Sequence, residues 1–273
     1  MNYKLLYKDF LTKAATFSYD DGTFYDVFLA ELLNKYGLKA TFNINTGLFG
    51  ANCHIDMPQK RIYHNRLSKD QVISVCAGHE LAAHSLTHPL LVGQTKEFLD
   101  EQVLTDLANI ERMTGQRTVG FAYPGGPHDE FTDKYLSDKV LYARTIENTY
   151  DFELPQSFVP LNPTVFHLDA EFLPLCEKFV LSKPDHATWL YIWGHSYEFS
   201  LDNTYNNFVK ACELLSSRDD IWFATNRDII NYVVCGRKLQ YRSGEFVNDT
   251  DVDIYIEYQG KKRIIKANSS CKA

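Results

Sequence analysis

The chain has 273 residues, with an apolar fraction of 45%, an aromatic fraction of 14% and a formal net charge of −7. This composition suffices for a sizeable core and argues against a nucleic-acid partner, which calls for clustered Lys and Arg. No window approaches the ~18 consecutive apolar residues of a membrane span, and Met1 to Phe10 lacks the apolar stretch of a secretory leader, so a cytoplasmic location is expected. The six cysteines are scattered without a C-x-x-C pair and read as reduced, mostly buried thiols.

Ala14 to Tyr19 reads as a buried strand ending at Asp20-Asp21-Gly22. Phe24 to Tyr36 reads as a helix with Phe24, Phe28, Leu29, Leu32 and Leu33 at helical spacing and Gly37 as its stop. Lys39 to Asn45 is a second strand, and the polar stretch from Gly50 to Leu67 reads as a long irregular loop beside a site. Ser68-Lys69-Asp70-Gln71 has the pattern of a capped helix start, and Glu80 to His84 is a third strand. Thr95 to Met113 is a long amphipathic helix carrying Phe98, Val103, Leu104, Leu107 and Ile110. Thr118 to Tyr123, Val140 to Thr145 and Thr164 to Leu168 are strand-like, the first ending at the turn signal Pro124-Gly125-Gly126-Pro127. A helix from Ala170 to Leu181, with Pro174 near its start, precedes the apolar strand Thr188 to Gly194. Asn203 to Ser216 (helix), Ile221 to Ala224 (strand) and Arg227 to Val234 (helix) follow.

This alternation implies an α/β fold, a mostly parallel sheet curled into a closed or nearly closed β/α barrel of about seven strands. Beyond Gly236 the period changes to two, and Val252 to Tyr258, Gln259-Gly260 and Lys261 to Lys266 read as a β-hairpin. The expected division is a barrel over residues 1–235 and a small C-terminal β appendage over 236–273.

The chemistry-bearing residues fall where strands end: Asp20, Asp21, His84, Tyr123 and His195. In parallel α/β folds that edge is where ligands bind. Successive side chains of a strand alternate in direction, so Asp20 and Asp21 reach one cavity only if the backbone turns, which Gly22 permits. The alternative is that Asp20 caps the following helix and Asp21 lies in a plain turn. His84 and His88 have the one-turn spacing common among metal ligands, with Pro89 opposing a helical continuation at His88. A capped histidine and a surface histidine would show the same spacing. His195, between Trp193 and Tyr197, suits either a site or an apolar rim, and His167 ends another strand.

Together these segments resemble the polysaccharide deacetylases, the NodB-homology carbohydrate esterases, carbohydrate esterase family 4-like. Ser18-Tyr19-Asp20-Asp21-Gly22 matches that family's T-F-D-D-G motif with conservative changes, and His84-Ser85-Leu86-Thr87-His88 meets H-S/T-x-x-H in full. Gly120-Phe121-Ala122-Tyr123 meets R-x-P-Y in part, and Trp193-Gly194-His195 keeps the histidine of L-x-H. The likeness spans roughly residues 14–235. It implies a distorted β/α barrel in which Asp21, His84 and His88 hold a divalent metal and Asp20 is the general base. It further implies that His195 is the general acid and that the Tyr123 backbone N–H binds the oxyanion. Zinc suits the ligand set, although cobalt, nickel and iron are compatible with it. The family's base-positioning arginine is Gly120 here, and Arg144 at the end of the next strand is the expected replacement, against a solvent-facing Arg144. The aspartate that orients the acid histidine has its nearest match in Asp151, and Trp193 suggests an aromatic acyl or sugar contact.

The implied activity is removal of N- or O-linked acetyl groups from a carbohydrate. The competing readings are hydrolysis of a small non-sugar amide on the same fold, with the Gly50–Leu67 loop closing the cleft, and a carbohydrate binder that has lost turnover. A two-histidine, one-carboxylate iron oxygenase has the same ligand types, but the β/α alternation and the neighbouring Asp20 disfavour it.

Overall fold

All eight residues of Lys13–Asp20 are buried, as in a strand covered on both faces at the centre of a parallel sheet. The structure, a computed structural model, describes residues 3–57, 60–201 and 204–272. In chain order the first elements are β1 (Lys4–Leu6), β2 (Lys13–Asp20), α1 (Asp26–Lys35), β3 (Ala40–Ile44), β4 (His54–Met57), β5 (Lys60–Tyr63), α2 (Lys69–Val75) and β6 (Glu80–Ala83). There follow α3 (Lys96–Leu99), a π turn (Asp100–Leu104), α4 (Thr105–Thr114), β7 (Gly120–Ala122), α5 (Glu130–Ser137), β8 (Tyr142–Arg144) and β9 (Val165–Phe166). The chain continues through α6 (Phe172–Leu181), β10 (Thr188–Gly194), α7 (Thr204–Ser216), β11 (Ile221–Phe223) and α8 (Asn226–Arg237). It ends in β12 (Gln240–Arg242), β13 (Glu245–Asn248), β14 (Ile254–Tyr258), β15 (Lys261–Ile265) and β16 (Ser269–Lys272).

The central sheet runs β8-β7-β6-β3-β2-β10-β9, with β11 paired to the lower half of β2, and every pairing is parallel. The sheet curls into the distorted β/α barrel expected from the alternation. Between its end strands the backbone around Leu161 bonds along β8, partly filling the gap. Outward residues Ala15, Phe17 and Tyr19 pack in the core beneath the helices. On the inward face Thr16 donates to Asn226 (3.2 Å), and Asn43 donates to Ser18 (2.9 Å). Asp20 continues that inward set at the strand's last position.

A second apolar cluster runs from Trp189, Tyr191 and Trp193 through α8 into Phe246, Ile254 and Ile256. The hairpin is β14 against β15, and N-terminal β1 joins it on the other edge of β14. Helix α8 ends at Arg237, past the boundary expected at residue 235. The short strands β12, β13 and β16 form a separate sheet that the sequence pattern did not signal, being too short for a clear period.

Other differences have local causes. Phe24 and Phe28 are half exposed and meet edge to face, because α1 turns Leu29, Leu32 and Leu33 to the core instead. The Gly50–Leu67 loop contains the antiparallel pair β4 and β5. Helix α5 is absent from the expected elements; its Asp129–Thr132 capping box lies directly behind the proline- and glycine-rich turn. Asn203, the expected start of α7, lies outside the described residues. Among the described residues no helix is long and apolar enough to cross a membrane.

Gly120 marks a packing requirement. A Cβ there would stand 2.1 Å from the Tyr142 hydroxyl, which donates to the buried Glu80 at 3.0 Å. Gly120→Ala is therefore expected to destabilise the protein by about 1–3 kcal/mol through overpacking. Gly120→Arg, which would place the arginine of the R-x-P-Y motif there, should cost more. Urea unfolding measures both, and unchanged midpoints would refute the packing account.

Candidate metal and catalytic site

Asp20 ends β2, and the next two residues leave the strand through left-handed backbone, Asp21 at φ 85° and Gly22 at φ 64°. A positive φ is uncommon for a non-glycine residue and is held here by tertiary bonds. The Asp21 N–H donates to the Asn43 carbonyl at 2.9 Å. The reversal lets two consecutive carboxylates face one cavity from different directions.

The two have separate partners. One oxygen of Asp20 accepts from Asn43 at 2.8 Å, and the other is bonded by Arg144 from β8. Arg144 is fully buried, so the alternative of a solvent-facing arginine is overturned. Its position follows from register, since β8 pairs with β7 so that Arg144 stands opposite Ala122 on the inward face. Tyr142, two residues earlier, fills the space where a side chain on Gly120 would run. Asp21 Oδ2 lies 2.9 Å from His64 Nε2, and Asp21 Oδ1 lies 2.9 Å from Arg66. Burial opposes ionisation of both carboxyls. Arg144, His84 and His195 nonetheless hold Asp20 below the usual range, and His64 and Arg66 hold Asp21 well below it.

His84 follows β6. Its Nδ1 faces the Ala122 carbonyl at 2.8 Å, so Nδ1 donates and Nε2 keeps a free lone pair. Burial pushes its pKa down to about 4, which keeps the ring neutral. Its backbone N–H donates to the buried Asp106 at 3.0 Å. His88 adopts φ 61° before Pro89, with its N–H bonded to Ser85 Oγ at 3.1 Å. The turn between the two histidines is gripped by Gln102, whose carbonyl accepts from Leu86 N (2.8 Å) and whose amide oxygen accepts from Thr87 N (3.0 Å). Gln102 lies in the π turn, a bulge that frees a helical carbonyl for an outside partner.

Asp21, His84 and His88 offer donor atoms all within 4.8 Å of one another. Asp21 Oδ1 is buried without a hydrogen-bond partner and lies 3.9 Å from His84 Nε2 and 3.7 Å from His88 Nε2. Two imidazoles and one carboxylate placed in this way fit a divalent metal. Arg66 is the cation beside that oxygen.

His195 follows β10, with Nε2 3.8 Å from Asp20 and Nδ1 3.2 Å from Glu198. Burial disfavours its charge, but the bond to Glu198 and the charges of Glu198, Asp20 and Asp21 outweigh it and raise its pKa to about 9.

Three expectations need correction. The Tyr123 N–H is not available to an oxyanion, because it donates to the Arg144 carbonyl at 3.0 Å within the sheet; the hydroxyl donates to Asp133 at 2.6 Å. Asp151 is exposed and accepts from the Glu153 N–H at 3.1 Å; the carboxylate beside His195 is Glu198. Trp193 is buried, donates to Asn148 at 2.8 Å and lies against the Arg144 guanidinium at 4.8 Å, so it backs Arg144 rather than a ligand. Sequence reasoning also missed His64 and Arg66, which lie in a segment without period. Glu198 carried a signal in its capping-box spacing three residues after His195.

The sequence pattern of the polysaccharide deacetylase family matches residues 8–142. No curated protein matches the chain. Among solved structures, a candidate polysaccharide deacetylase from Mycobacterium smegmatis superposes with TM-score 0.60 at 18% identity, covering 89% of this chain and 96% of that one. A family 4 carbohydrate esterase from Streptomyces lividans, solved with acetate, gives TM-score 0.50 at 16% identity, covering 78% and 92%. The Xyl-CE4 domain of a multidomain xylanase from the hindgut metagenome of Trinervitermes trinervoides gives TM-score 0.50 at 14% identity, covering 84% and 95%. At these identities the structures establish the fold. Over residues 8–142, just under half of the chain, the sequence is similar to the polysaccharide deacetylase family.

Proposed function

We propose that the chain is a metal-dependent hydrolase that removes N- or O-linked acetyl groups from a carbohydrate. One observation carries the reading: a three-ligand cluster of Asp21, His84 and His88 stands beside a carboxylate, Asp20, that has its own arginine and faces a histidine. Asp21 Oδ1, His84 Nε2 and His88 Nε2 would hold the metal, zinc by preference. When bound, such an ion supplies Lewis acidity toward an acyl carbonyl and toward water.

The chain's own residues account for the proton movements. Asp20, anionic beside Arg144, accepts the proton of the attacking water. Asn43 holds the other oxygen of Asp20, so the carboxylate plane is fixed against rotation. His195 gives its Nε2 proton to the departing amine or alcohol. The Arg144 pair argues against the reading of a silent binder, because the cation next to the base is present although Gly120 replaces the family residue.

Acetate release from acetylated chito-oligosaccharides and acetylated xylan tests the activity. It should fall to background with a chelator and return with zinc or cobalt; release that ignores the chelator, or none from any acylated sugar, overturns the reading.

The pH profile tests the two roles. The acid must be protonated, so with a pKa of about 9 for His195 the rate should hold through neutral pH and decline above about 9. The base must be ionised, and its lowered pKa places the acidic limb at low pH. Arg144→Met removes the largest influence lowering that pKa while burial remains, so the acidic limb should move up toward neutrality and the alkaline limb should stay. An unmoved acidic limb would separate Arg144 from Asp20.

A further inference from the structure

We propose that Arg66 sets the metal affinity of this site. It preforms the Asp21 ligand while no ion is bound and weakens the hold on the ion that arrives, so the metal is exchangeable rather than structural. The inference rests on the reading of Asp21, His84 and His88 as metal ligands.

The backbone brings Arg66 to the ligand. The end of the loop that carries β4 and β5 runs antiparallel to the residues just after Asp21, with Arg66 opposite Thr23. The Phe24 N–H donates to the Asn65 carbonyl and the Leu67 N–H to the Gly22 carbonyl, both at 2.9 Å. The Arg66 N–H donates to the Ala51 carbonyl, also at 2.9 Å, which ties this segment to the start of its own loop. The side chain is thus delivered beside the turn that reverses the chain at Asp21, and it is only 6% exposed.

The proton count at one nitrogen decides what this guanidinium does. Nη1 carries two protons. One goes to the Asp21 carbonyl and the other to Asn45 Oδ1 at 3.2 Å. Asp21 Oδ1 lies 2.9 Å from the same nitrogen and has no hydrogen-bond partner. Arg66 therefore gives that oxygen a counter-charge but no proton, and its lone pairs stay free for a cation. Asp21 Oδ2 faces His64 at 2.9 Å, so Oδ1 is the oxygen left to ligate.

Charge then works in two directions. A buried carboxylate without a counter-charge is strongly destabilising, so Arg66 lets the metal-free protein keep Asp21 in place. Asp26 also feels Arg66, but burial pushes its pKa up to about 7, and Asp21 remains the main counter-ion. A divalent ion, in contrast, must bind an oxygen already shared with a guanidinium. Repulsion over a few Å in a buried site weakens such binding by about tenfold or more.

The test is calorimetric titration of zinc into the metal-free wild type, Arg66→Met and Arg66→Lys. Arg66→Met should bind zinc at least about tenfold more tightly, and Arg66→Lys, which keeps the charge, should stay within about threefold of the wild type. Equal or weaker binding by Arg66→Met overturns the proposal, as does Arg66→Lys binding as tightly as Arg66→Met. An Arg66→Met protein that folds only with zinc present supports it, because the ion then replaces the lost counter-charge. The wild type gives a readout that needs no variant to fold. Its circular dichroism and cooperative unfolding should survive excess chelator, and a wild type that loses its structure with the metal overturns the proposal. If none of the three proteins binds zinc, the metal centre falls and this proposal with it. A wild type that binds zinc but releases no acetate from any sugar defeats the deacetylase reading alone.

Discussion

Two adjacent carboxylates buried in one cavity can both remain anions only if each has its own cationic or hydrogen-bonding partners. That constraint organises this end of the barrel. Asp20 is served from the inward faces of β3 and β8 by Asn43 and Arg144. Asp21 is served from the loop that carries β4 and β5 by His64 and Arg66. The left-handed step at Asp21 and Gly22 gives each carboxylate its own arginine, while His84 Nε2 lies 3.9 Å from both. Removing one member of such a buried pair leaves an unpaired charge, at a cost of about 3–5 kcal/mol. The site's arrangement is thus a condition of its folding as well as of its chemistry.

The same logic explains the departure at Gly120. A guanidinium next to Asp20 is required by charge, but nothing requires it to come from β7. Strands β7 and β8 are adjacent and in parallel register, so Arg144 reaches the cavity from opposite Ala122. Tyr142 then takes the volume next to Gly120 and ties it to Glu80.

Much of this was legible in the sequence because the relevant signals are local. The strand ending in Asp20-Asp21-Gly22, the His84 to His88 spacing and the β/α alternation are each contained in a short window, and the structure brings those residues to one edge of the sheet. Arg144 was legible as well, being one strand over from the missing arginine. Three kinds of feature were not. His64 and Arg66 act through a tertiary contact made by a segment with no period. The commitment of the Tyr123 N–H depends on sheet pairing beyond the last formal strand residue. Glu198 is not legible from the motif pattern, which points to Asp151 upstream of His195, whereas a tight turn supplies the neighbouring carboxylate three residues downstream. The half-exposed Phe24 and Phe28 show the limit of periodicity, since both satisfy helical spacing and neither enters the core.

The central claim is that neighbouring carboxylates have different tasks, one holding a cation and one left free to take a proton. Calorimetric titration of zinc into the metal-free protein and into Asp20→Asn and Asp21→Asn variants measures that division directly. The account predicts that Asp21→Asn abolishes binding and that Asp20→Asn retains it. Equal loss in both variants, or undiminished binding by Asp21→Asn, would contradict it.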